Sequence, residues 1–328
     1  MNSAIFASDS IVAEQASDLL RTGAVEAVVG AALLAAAREP SVFFGPLQIL
    51  VGGLGTGLFA IDGRVRQPGL GVVRPRGFRA EDEIPAAAYV GVPAFAGAVF
   101  AALALTGNDV TQTVFGPAIS VAKTLSKPRA ELLNRVARKG AGALADGDVS
   151  GELVAVAGRI AGGLLTQEDL TSARPEVGRS LVVENGDRRI AIAPWTATES
   201  PSSGAKIDII LAVDARGQVA AACYETSLDA IPLGAFDLSA PRSASPVLRG
   251  QTRTRPGEPI PTCAPLAITH GQSLWESVLG VAQAIDGHVL AGQLGDLDTD
   301  VESTLRSIGY EATAIVRAET RVRILRGG

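Results

Sequence analysis

The chain has 328 residues, is 47% hydrophobic and carries a formal net charge of −5. That is enough apolar material for a large buried core, and the acidic balance excludes the basic stripes of a nucleic-acid binder. Two cysteines, Cys223 and Cys263, exclude a disulfide framework, and two histidines, His270 and His288, sit in no metal-ligand spacing, so neither metal nor cofactor is expected.

The first residues, MNSAIFASDSIVAEQ, lack a basic start and a long apolar run, so no signal peptide is read there. Residues 9–22 carry apolar positions at helical spacing behind Asp9 and Ser10, and Gly23 stops or kinks that helix. Residues 24–38 form a second, almost wholly apolar helix, buried on all sides. At 15 residues with Glu26 inside, the run GAVEAVVGAALLAAA (23–37) is too short for a bilayer. A cytoplasmic protein with no membrane partner is expected.

LQILVGGLGTGLFAIDG (47–63) reads as strand, glycine-rich turn, strand. A phosphate cradle needs its glycines to open a helix, and LFAID is a strand, so this is a hairpin turn. Helices are expected at 90–106, 112–125, 128–140 and 149–161, and Thr166 caps another with Asp169 at its third position. From residue 180 strands take over: SLVVENGDRRIAIAP (180–194), then a polar loop WTATESPSSGA (195–205), then KIDIILAVDARGQVAAA (206–222), two apolar runs joined at an Asp/Gly turn. A long loop spans 236–262, followed by a short strand CAPLAITH, a helix over 273–286, a helix over 299–308 and a strand EATAIVRAETRVRIL (311–325). The two halves are expected to share one sheet system. The few lysines, with the wealth of Ala, Gly, Val and Arg, point to a GC-rich bacterial source.

Several segments, in colinear order, resemble the γ-glutamyltransferase family: RTGAVEAVVGAALLAAAREP (21–40), AIDGRVRQP (60–68), GVPAFAG (91–97), FGPAISVAK (115–123), GGLLTQEDLTSARP (162–175), SPSSGA (200–205) and PIPTCAP (259–265). The resemblance implies an α+β fold, the αββα sandwich of the N-terminal-nucleophile hydrolases. It implies one domain over 1–328, with a large-subunit-like part (1–206) and a small-subunit-like part (207–328).

In that family a precursor cuts itself before a threonine that becomes both nucleophile and its own base. The threonine opens a T-T-H-x-S-V-V-D-x-D-G-N hairpin. Anchored on AVDARGQ (212–218), the two threonine positions hold Ile207 and Asp208. Isoleucine can neither attack a carbonyl nor drive the acyl shift. The glycine-rich oxyanion loop has become ITHGQS (268–273), and each lost donor is worth ~3 kcal/mol. The cleavage linker between SPSSGA and KIDII is missing, so an uncut chain is expected.

By the same resemblance, the family's carboxylate-binding Arg falls on Arg64, with Arg66 an equally placed rival. Its amino-binding Asp falls on Asp237, its serine pair on Pro261 and Thr262, and its hairpin Asn near Ser227. As residues alone, Arg64 also suits a hairpin surface, Asp237 a turn cap, and Thr262 and Cys263 a buried strand. Ser202 and Ser203 read as loop. Three functions follow: a redeployed homologue that binds a glutamate-like amino acid without hydrolysing it; an active enzyme whose nucleophile has moved to Thr262 or Cys263; and a structural protein kept for assembly, as a homo-oligomer or a partner subunit. In the first, Asp208 could still move protons beside a bound amino acid.

Overall fold

A computed structural model describes residues 3–53, 57–73, 77–107, 110–185, 188–195, 205–262, 265–271, 275–283, 287–295, 301–308, 311–318 and 321–327. Two six-stranded antiparallel sheets stack face to face. The first runs β1 (Ala4–Ala7), β7 (Ala205–Val213), β8 (Gln218–Ser227), β2 (Leu47–Gly53), β3 (Phe59–Gly63) and β4 (Glu176–Arg179). The second runs β14 (Arg321–Arg326), β13 (Ala312–Ala318), β12 (Trp275–Val281), β11 (Leu266–His270), β6 (Arg188–Ile192) and β5 (Leu181–Asn185). A two-stranded ribbon, β9 (Ile231–Pro232) and β10 (Ser239–Ala240), stands apart.

Helices α1 (Ser10–Ala16), α2 (Ala24–Arg38), α3 (Phe95–Thr106), α4 (Thr111–Leu125), α5 (Lys127–Lys139), α6 (Gly147–Ala157) and α7 (Gln167–Ser172) lie with the first sheet, and α8 (Gly287–Gly295) and α9 (Val301–Ile308) cover the outer face of the second. Three apolar clusters mark the layers. One lies between α2 and the first sheet, one between the sheets, and one between the second sheet and α8 and α9. This is the expected α+β, αββα arrangement.

Local sequence explains the elements that hold the site. In α2 every residue from Ala24 to Ala37 is buried, as its run of small and branched apolar side chains requires. A Cβ on Gly63, at the end of β3, would lie 2.4 Å from the Leu47 carbonyl oxygen and 2.6 Å from Ala98 Cβ, so α3 can approach β3 only over glycine. The Asp214 carboxylate accepts from the Arg216 and Gln218 amides, both at 2.9 Å, and Gly217 takes the left-handed position (φ 87°) that closes the β7–β8 turn. Thr166 and Asp169 form the expected reciprocal cap, and Asp169 also accepts from the Gly69 and Leu70 amides.

Several expectations are corrected. The helix over 273–286 is the central strand β12, between β11 and β13. WESVLGV is covered on one face by β7 and β8 and bonded on both edges. Its apolar residues Trp275, Val278 and Leu279 fall at helical spacing, so in so short a segment periodicity cannot tell strand from helix. The tail is a hairpin of two strands, β13 and β14. The helix expected from residue 90 begins at Phe95, because Val92 is paired with Arg66. The N-terminal IFA becomes edge strand β1. The sharing of the sheets by the two halves holds: each of the two sheets takes strands from both sides of residue 207.

Candidate functional site

The β7–β8 hairpin has two faces. Residues 207 and 209 of β7 and 223 and 225 of β8 face the second sheet, where Ile207, Ile209 and Cys223 join the core between the sheets. Asp208 and Tyr224, directly paired, face α1 and α2, where Tyr224 joins the helix-side core. Ile207 is 4% exposed and stands opposite Glu225. The ladder continues upstream of it through Lys206 and Ala205.

A row of side chains crosses the sheet beside Ile207. Register sets Cys223 against Gln48 and Gln48 against Asp62. Arg64 follows just past the end of β3. Its Nε donates to both Asp62 carboxylate oxygens at 2.9 and 2.8 Å, its Nη2 to Oδ2 at 2.7 Å, and its backbone N–H to Oδ1 at 2.9 Å. Asp62 is fully buried and Arg64 nearly so, with the Trp195 ring centre 5.6 Å from the guanidinium carbon. The arginine fork expected to grip a ligand carboxylate is thus turned onto a carboxylate of its own strand. Arg66, its rival, donates to the Gly257 carbonyl and to Glu176.

Thr262 Oγ1 donates to Glu225 Oε1 at 2.6 Å, and both residues are buried. The gap lined by Ile207, Cys223, Glu225 and Thr262 measures about 10 Å³, room for one water at most. Asp237 lies elsewhere. Its Oδ2 accepts from Arg129 Nη2 at 2.7 Å, and Arg129 also donates to the Ala37 carbonyl at the end of α2. Phe236 and Asp237 both take positive φ there, 54° and 52°. Arg64 and Asp237 therefore serve different partners, one at the sandwich mouth and the other in the helical layer.

Asp208 Oδ1 accepts from Lys206 Nζ at 2.7 Å and Oδ2 from Thr226 Oγ1 at 3.0 Å. Together with Ser227 these residues line a cavity of about 530 Å³ that reaches Asp9 and Arg38. Burial, then the Asp208 and Asp9 carboxylates, holds the Tyr224 phenol far above its ordinary range, so it stays protonated. On β11, burial and then Arg189 push the His270 imidazole below its ordinary value. Cys263, Ser202, Ser203 and the end of ITHGQS lie outside the described residues. Glu225, Gln48 and Asp62 were missed from sequence. The only signal was a carboxylate or amide inside each apolar strand, CYETS, LQIL and AIDG. Among the described residues no group of three or more His, Cys, Asp or Glu is placed to hold a metal, and no helix is long and apolar enough to cross a membrane.

No protein-family model matches the sequence, and no curated protein does. Solved structures do match. The cephalosporin acylase of Bacillus halodurans superposes with a TM-score of 0.66 over 85% of this chain and 77% of its own, at 14% identity. A structure of LmbA2991 superposes at 0.69 over 92% and 82%, at 12% identity. The γ-glutamyltranspeptidase of Pseudomonas nitroreducens matches 59% of this chain and 71% of its own at 0.49 and 19% identity, too partial a match to build on. The shared feature is architecture: the chain has the αββα fold of the N-terminal-nucleophile hydrolases, the fold of the acylase it resembles and the one its γ-glutamyltransferase-like segments imply.

Proposed function

We propose that this protein is a non-hydrolytic relative of the γ-glutamyltransferases and acylases, which binds a small amino-acid-like molecule without cleaving it. One observation carries the reading. The position where the family resemblance puts the nucleophile holds Ile207, buried in a mouth with room for one water at most. An alkyl side chain offers no lone pair to a carbonyl and no hydroxyl to rearrange the preceding peptide bond. The guanidinium that would receive a substrate carboxylate is bonded to Asp62 instead. The hairpin that presents a nucleophile in hydrolases of this fold is here a sealed part of the core.

A second reading rests on the Thr262–Glu225 contact. A hydroxyl 2.6 Å from a carboxylate is a nucleophile beside a base. Against it stands the space: a substrate acyl group needs far more than 10 Å³ at the hydroxyl. Intact mass and hydrolysis of L-γ-glutamyl-p-nitroanilide separate the two. One full-length mass and no released nitroaniline support the first reading. A cut chain, or hydrolysis abolished by Thr262→Val, supports the second.

A further inference from the structure

The helix-facing side of the hairpin is built differently from its mouth. The cavity there is about 530 Å³, ample for an amino acid, and buried polar side chains form its floor. Asp208 is 5% exposed and Tyr224 3%. Ser227, 8% exposed, also lines it, and its Oγ has no hydrogen-bond partner. A buried hydroxyl without a partner is costly unless something else satisfies it. The rim is charged. Asp9, Glu39 and Asp208 supply three carboxylates against the two cations Arg38 and Lys206, a formal excess of one negative charge.

Two of these ion pairs are loosely held. Lys206 binds Asp208 from outside, with 69% of its side chain exposed, so its ammonium is a tethered surface cation on a buried carboxylate. Arg38 meets Asp9 through Nε alone, at 3.3 Å, with its side chain 30% exposed. An incoming ammonium group can replace that of Lys206 on Asp208, within reach of the Thr226 hydroxyl. An incoming carboxylate can take the end of the Arg38 guanidinium, a planar fork suited to it.

We propose that this cavity is the ligand site, and that it takes a small amino acid carrying a second ammonium group, held by Asp208 at one end and Arg38 at the other. The proposal rests on the non-hydrolytic binding reading above and adds a place and a charge to it. It differs from the sequence expectation of a glutamate-like ligand at Arg64 and Asp237, because the excess charge of the cavity is negative.

Isothermal titration of the full chain with L-lysine and with L-glutamate tests it. L-lysine should give a saturable heat, with L-glutamate at least tenfold weaker. Asp208→Asn and Arg38→Gln should each weaken L-lysine at least tenfold. Arg38 sits at the rim, so Arg38→Gln keeps the test open if Asp208→Asn fails to fold, which a melting curve reveals. The absence of L-lysine binding, or a preference for L-glutamate, overturns the proposal. Binding that survives both substitutions overturns the site and leaves the ligand-binding reading standing. The nitroanilide and mass measurements decide separately whether the chain cleaves.

Discussion

The two faces of the β7–β8 hairpin have the same backbone and opposite fates. Toward the second sheet, Ile207, Ile209 and Cys223 fill the space, and each nearby charge is bonded within the protein: Asp62 to Arg64, Glu225 to Thr262. Toward α1 and α2, Asp208, Tyr224 and Thr226 look into open volume, and the ion pairs at the rim involve an exposed lysine and a half-buried arginine. A strand alternates its side chains by a strict period of two. The side chain at position 207 therefore fills one face without touching the other.

The comparison breaks most sharply at Asp62. Asp62→Asn keeps the shape but leaves the Arg64 guanidinium charged and buried, at a cost of about 3–5 kcal/mol. Urea unfolding measures it. A loss below about 1 kcal/mol would mean that the mouth is wet and open, and the contrast between the faces would fail. Ile207→Ala should cost about 2–5 kcal/mol, as for other large-to-small core changes. Ile207→Thr supplies the hydroxyl that the γ-glutamyltransferase resemblance calls for, yet the chain should remain one mass on a denaturing gel, because 10 Å³ admits no acyl transfer geometry. Self-cleavage of that variant would show that only the side chain was missing. Thr262→Val removes a donor from Glu225 and should cost about 1–3 kcal/mol.

Much of this was legible in the sequence, and the limits are instructive. The α2 helix, the β2–β3 and β7–β8 hairpins and the Thr166 cap announce themselves through composition and turn residues, because their physics is local. The identity of β12 does not. WESVLGV becomes a strand through its neighbours on both edges and both faces, which lie far away in sequence. The same holds for the site. Ile207, in the place the resemblance gives to a nucleophile, could be read directly, but the closure of Arg64 by Asp62 could not. The two stand either side of Gly63 in DGR and so share one face of the strand, but nothing in the residues says that the guanidinium turns onto that carboxylate and not outward to a ligand. Asp208 is legible in the sequence as a possible proton carrier. Its cavity was invisible, because Asp9, the cap of α1, and Arg38, the end of α2, lie more than 160 residues upstream.

The pH dependence of stability samples the inner layer. His270 has an ordinary value of 6.5 when unfolded and a lower one when folded, because burial and then Arg189 disfavour its cation. Between those two values the unfolded chain binds more protons than the folded one, so stability falls as pH falls through that window. His270→Gln should flatten this limb of a melting-temperature profile and leave the profile above pH 6.5 unchanged in slope.

The smallest effect is expected at Lys206, and it tests the outer face. Its ion pair with Asp208 is short, 2.7 Å, but the lysine is 69% exposed. Water and salt screen such a pair, and its net value is about 0–1 kcal/mol. Lys206→Ala should therefore change stability by no more than that, since Thr226 and solvent in the cavity still serve the Asp208 carboxylate. The same variant should bind L-lysine more tightly, because it removes the tethered ammonium that competes for Asp208. A loss above 2 kcal/mol would mean the opposite: Asp208 would then be as dependent on its partner as Asp62 is on Arg64, and the outer face would be as closed as the inner one.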